Sequence, residues 1–160
     1  VDRLVLCCTS PGGAGGASYP LHDLIGMPPE ARARHMIAIS NTTHDAAWQA
    51  SHADAVAATI AFSANDPWTG EPRRALGAEL QLRARAGHDV WERLPRITAP
   101  TLICGGRHDG IATPDAQAAM ASRIPQAELR MFEGGHMFLL EDRAAFPAII
   151  AFLETPQETP

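Results

Sequence analysis

No stretch of this sequence approaches the ~18 consecutive apolar residues that a membrane-spanning helix requires, and Val1-Asp2-Arg3 is not the charged lead of a secretion signal. Cysteine is scarce. Cys7, Cys8 and Cys104 make an odd set with no CxxC pair and with apolar neighbours, so a disulfide framework is excluded and reduced thiols in a cytoplasmic protein are expected. A basic stripe is also missing: the net charge is -5 and the arginines fall singly or in pairs, which excludes nucleic acid and anionic membranes as natural partners. The glycine-rich "PGGAGG" lacks the lysine and hydroxyl residue of a phosphate-binding loop, and G-x-G-x-x-G does not occur. His35, His44 and His52 offer no i, i+4 pair and no completing carboxylate, so neither a metal nor a cofactor is expected.

What is present is enough apolar material for one core: 160 residues, 46% hydrophobic and 19% charged, a composition that does not favour disorder. Short apolar runs near 3–8, 100–105 and 127–133 read as buried strands. After the first, "TSPGGAGGASYP" is a long loop, and alanine-rich pieces from about Leu21 to Gly70 read as two or three short helices with Pro29 and Asp45 near their starts. A helix is expected over 72–87, a short helical piece at "DVWERL", a helix capped by Thr113 with Pro114 at its first position, and a terminal helix "MFLLEDRAAFPAIIAFL" that must accommodate Pro147. The tail "ETPQETP" reads as frayed. This alternation predicts an α/β fold with about three parallel strands, flanking helices and a helical insertion after the first strand. Ligands meet such sheets at the loops leaving the carboxyl ends of the strands, here "TSPGG", "GGRHDGIATP" and "EGGHMF".

From Ile97 to Leu153, "ITAPTLICGGRHDGIATPDAQAAMASRIPQAELRMFEGGHMFLLEDRAAFPAIIAFL" resembles the carboxyl-terminal half of an α/β-hydrolase. The shared pattern is a proline-led strand, glycine, an acidic residue in the loop, a proline opening a helix, "IP" before the next strand, then glycine-histidine and a closing helix. The resemblance implies that Asp109 is the triad acid and His136 the triad base, that "DRLVLCCTSPGG" is the sixth strand of the sheet, and that 20–71 forms a helical cap on a core of 1–19 and 72–156. Two departures stand out. Arg143 occupies a site where the family commonly has proline, and no G-x-S-x-G nucleophile elbow occurs anywhere in the chain. Ser18 in "GASYP" is its nearest imitation, but it is followed by Tyr19-Pro20 and no strand runs directly into it.

In acyl transfer a serine hydroxyl needs a histidine to take its proton, and a carboxylate to hold that imidazole in the right tautomer. Asp109 and His136 lie on successive loops at one edge of the sheet, and Gly134-Gly135 allow the tight turn that presents the ring. Met137, Phe138 and Trp48 are candidate linings of a substrate pocket. The resemblance therefore implies a hydrolase of a small ester, lactone or related acyl compound, without metal or cofactor, whose serine lies outside this chain. The alternatives are a non-catalytic binding domain retaining a hydrolase-like half-fold, or a relative acting as a C–C hydrolase, dehalogenase or cofactor-free haloperoxidase. Because the chain begins abruptly at its first strand, that strand is expected to have a bare edge, covered by the amino-terminal half of the same protein or by a second copy.

Overall fold

Leu102, Ile103 and Cys104 are fully out of solvent, and the strand that carries them, β2 (Thr101–Gly106), is buried at every residue. In the computed structural model, which describes residues 1–65, 67–68 and 70–156, β2 lies between β1 (Leu4–Cys7) and β3 (Ala127–Phe132). Both pairings are parallel, from Leu4 opposite Thr101 to Cys7 opposite Cys104, and from Thr101 opposite Ala127 to Gly106 opposite Phe132. The three apolar runs of the sequence are thus the three strands.

Successive side chains of a strand point to opposite faces, so β2 feeds two cores. Leu102 and Cys104 pack with Phe132, Phe138 and Ala145 on one face, while Ile103 packs with Leu94, Met120 and Ile124 on the other. Each fully buried large apolar side chain contributes roughly 1.5–3 kcal/mol relative to exposure, so this central strand fixes the layer order of the molecule.

The helices follow their sequence signals. Pro29 opens α1 (Pro29–Ser40), and Asp45 caps α2 (Ala46–Ser51) by accepting the Trp48 N–H at 2.8 Å. Then come α3 (Ala53–Ala64), which packs against α1, and α4 (Arg74–Ala86), which stops at Gly87. "DVWERL" contributes to a 3-10 segment, Trp91–Arg96. Thr113 caps α5 (Pro114–Arg123) by accepting the Ala116 N–H at 3.3 Å, with Pro114 in the first turn.

The terminal helix is the exception, because it is two helices: α6 (Phe138–Glu141) and α7 (Ala145–Glu154). Asp142 separates them. Its two carboxylate oxygens accept the N–H groups of Glu133 at 2.9 Å and Ala144 at 2.8 Å, local bonds that compete with a continuous helix. The Ala144 and Glu133 N–H groups also hold the Asp142 carboxyl below its ordinary range. Pro147 consequently falls in the first turn of α7, where its missing N–H leaves no helical bond unmade. The frayed tail expected at "ETPQETP" reaches residues 157–160, outside the described residues, and the "NDPWTG" break includes Asp66 and Thr69, which also lie outside them. Among the described residues no helix is long and apolar enough to cross a membrane.

Candidate active site

The loop after β2 turns back on itself, with the Asp109 N–H donating to Gly106 O at 3.2 Å, and places the Asp109 side chain wholly out of solvent. A buried carboxylate must be compensated, and this one is compensated three times. Oδ1 accepts the N–H groups of Ile111 at 2.7 Å and Ala112 at 2.9 Å, and Oδ2 meets Nδ1 of His136 at 2.9 Å. Because a carboxylate only accepts, Nδ1 is the donor of this bond, and in a neutral ring the lone pair is then on Nε2. The His136 side chain is 27% exposed, so the ring is only partly enclosed by the protein.

His136 follows β3 through Gly134 and Gly135, and each glycine has its own reason. Gly134 has φ 106°, in the left-handed region that side chains avoid. At Gly135 the constraint is space, since a Cβ there would lie 2.0 Å from Ser40 O and 2.7 Å from the Asn41 Cβ. The carboxyl end of α1 is pressed against this loop. The His136 N–H donates to Ser40 O at 2.6 Å, the Gly110 N–H to Ile39 O at 3.0 Å, and the Thr42 N–H to His108 O at 2.9 Å. Glu141 closes the arrangement: its Oε2 accepts the Gly135 N–H at 2.8 Å and faces Asn41 Nδ2 at 3.4 Å. One helix end therefore holds both the acid loop and the histidine loop.

Residues 24–143 match the alpha/beta hydrolase fold family. The chain belongs to that family. The solved structure of an enol-lactonase from Burkholderia xenovorans LB400 superimposes with a TM-score of 0.70 at 19% identity, covering 97% of this chain and 57% of that one. A meta-cleavage product hydrolase from Pseudomonas fluorescens IP01 does so with a TM-score of 0.67 at 20% identity, covering 96% and 56%. Among curated proteins, a poly(3-hydroxyalkanoate) depolymerase from Ectopseudomonas oleovorans is 32% identical over 84 residues. The chain covers 30% of that protein, so it spans well under the full length of the hydrolase-family proteins it matches.

Within this hydrolase-family chain the other residues singled out by sequence fall in different places. Phe138, a candidate pocket lining by sequence, is 0% exposed and belongs to the sheet core, where it stacks on Phe132 at 5.3 Å between ring centroids. Trp48 is likewise used elsewhere, stacked between the rings of His44 at 3.7 Å and His52 at 4.2 Å by the i, i+4 spacing of the three residues. Met137, beside His136, is exposed. His35 is engaged by the Tyr19 hydroxyl at 2.7 Å.

Cys8 is the site residue that the sequence concealed. All three cysteines are free, but Cys8, read as one more apolar residue, leaves β1 with φ 50° and donates its thiol to His136 O at 2.8 Å. Its sulfur, a carboxylate oxygen of Asp109 and a ring nitrogen of His136 lie within 4.8 Å of one another, the one such cluster of metal-capable side chains among the described residues. Each member is already engaged by the others or by the backbone. Burial first, then the charges of Asp109, Cys7 and Glu141, push the Cys8 thiol up to about 12. It is a neutral wall of the site and no nucleophile at neutral pH. Its position at the carboxyl end of a parallel strand was the available signal.

Proposed function

We propose that this chain supplies the acid and the base of a Ser-His-Asp hydrolase acting on a small ester, lactone or related acyl compound. The observation that carries the reading is the 2.9 Å contact between His136 Nδ1 and the buried Asp109, on a ring that is itself partly exposed. In this reading Nε2 takes the proton of an attacking serine hydroxyl and returns it to the leaving oxygen, while Asp109 holds the tautomer and stabilises the imidazolium. No G-x-S-x-G occurs in the 160 residues, and among the described residues no serine hydroxyl is hydrogen-bonded to the His136 ring, whose partner is Asp109. The serine and its oxyanion donors are therefore assigned to a segment outside this chain, which by itself is inert. Residues 20–71, with α1 to α3, act as the cap, and the three free thiols fit a reducing compartment. The lactone chemistry in the name of the enol-lactonase supports the substrate class.

Reconstitution tests this. The chain, co-expressed with a hydrolase sheet half that carries the G-x-S-x-G strand, is assayed with p-nitrophenyl butyrate and a serine-directed phosphonate. The expected result is turnover that His136→Ala abolishes and Asp109→Asn lowers by about 10²–10⁴-fold, as loss of a triad carboxylate does. Turnover by the chain alone, or phosphonate labelling of Ser18 or Ser10, overturns the external serine. Assemblies that fold yet never turn over leave a binding domain.

A further inference from the structure

Two adjoining cavities, of about 340 and 230 Å³, open beyond the carboxyl end of β1 and share Ser10, Ser18, Arg85 and His88 in their walls. The larger also has Cys8 in its wall, the residue whose thiol donates to His136 O, so one residue separates this cavity from the dyad. Its volume is within the roughly 300–1,000 Å³ range of small-molecule sites, at the lower end. No carboxylate lines either cavity, yet the wall contains a permanent cation. The Arg85 Nε–H is buried with no partner, and an Nη2–H reaches only the Tyr19 carbonyl at 3.5 Å, the long limit of a hydrogen bond. A guanidinium has five donors in a fixed fork and cannot discharge by losing a proton. Left so poorly satisfied, it is stabilised by a planar anion that takes two of those donors at once. Ser10, Ser18 and His88 are polar residues of the same wall.

We propose that Arg85 binds a carboxylate of the substrate, so that the acyl compounds taken by this site are those carrying a free carboxylate, such as half-esters and lactones of diacids. The word substrate rests on the hydrolase reading; the anion site itself does not.

Binding and turnover separate the two. The full chain, labelled with nitrogen-15, is titrated with monoethyl succinate and, in parallel, with neutral diethyl succinate, following the backbone N–H signals of Ser10, Ser18 and His88 in every variant and the Arg85 Nε–H signal where the arginine is present. The expected result is a saturable shift with the half-ester alone, absent in Arg85→Gln and weakened in Arg85→Lys, which keeps the charge but loses the fork. A half-ester that leaves the Arg85 signal unmoved, or a diester that moves it equally, overturns the proposal. In the reconstituted assembly, Arg85→Gln is expected to raise KM for p-nitrophenyl hydrogen succinate about ten- to a hundredfold more than for p-nitrophenyl butyrate. Equal effects on the two esters also overturn it. Half-ester binding through Arg85 in an assembly that cleaves neither ester would keep the anion site and remove the hydrolase reading.

Discussion

Cys8 sits in a left-handed conformation that costs a side-chain-bearing residue about 1 kcal/mol or more, and it does so within reach of both members of the dyad. What holds it there is a backbone bond from its N–H to Cys104 O at 3.1 Å and the thiol bond to His136 O. Asp109 is the charged neighbour that most disfavours its thiolate, after burial itself. That gives a direct reading of the charge on Asp109. The thiol is raised, so its thiolate is almost absent at ~pH 8, well below the value of about 12. Site-resolved iodoacetamide labelling should therefore find Cys8 slower than Cys7, whose thiol is lowered by its hydrogen bond with Cys104. Asp109→Asn removes one negative neighbour and should speed Cys8 labelling; a slower or unchanged rate would show that Asp109 is not ionised in the folded chain.

At the scale of elements, the three strands, the capped starts of α2 and α5, and the positions of Asp109 and His136 on adjacent loops were all legible, because each rests on a local signal: an apolar run, a capping residue, a proline, a glycine pair. What was not legible depends on contacts between distant residues. Asn41 and Glu141 are 100 positions apart, and nothing in "SNTTHD" marks the end of α1 as the brace of both site loops. The split of the terminal helix was hidden for a related reason, since the bond from the Glu133 N–H to Asp142 depends on β3 lying beside it. Gly135 reports on the brace. Replacing it with alanine drives a Cβ into Ser40 O, so Gly135→Ala should cost about 1–3 kcal/mol, the usual range for overpacking, measured by urea unfolding. A neutral effect would mean that the α1 end does not press on the histidine loop in solution.

For the whole molecule, the question is what lies beyond β1. The sheet order leaves one edge of β1 without a partner strand among the described residues, and β1 is only half-buried where β2 is wholly buried. Beside it, α7 uses Ala148, Ile149 and Phe152 against the core while Phe146, Ile150 and Leu153, at i, i+4 and i+7, form a second apolar stripe about half exposed at each residue. Covering those three side chains is worth roughly 1 kcal/mol each, and pairing an open strand edge adds backbone bonds. The occupant proposed is the sheet half that bears the nucleophile strand, since the family's solved structures extend well past the 56–57% that this chain covers. One surface then accounts for both the open edge of β1 and the exposed stripe. The 160-residue chain alone should elute as self-associated species at micromolar concentration, and co-expression with that sheet half should convert it to a one-to-one complex. Ile150→Asp, on the exposed stripe and away from the dyad, should weaken both forms of association without unfolding the chain. A stable monomer that ignores the sheet half would show that the β1 edge and the α7 stripe are not an interface, and would leave the serine to be sought elsewhere.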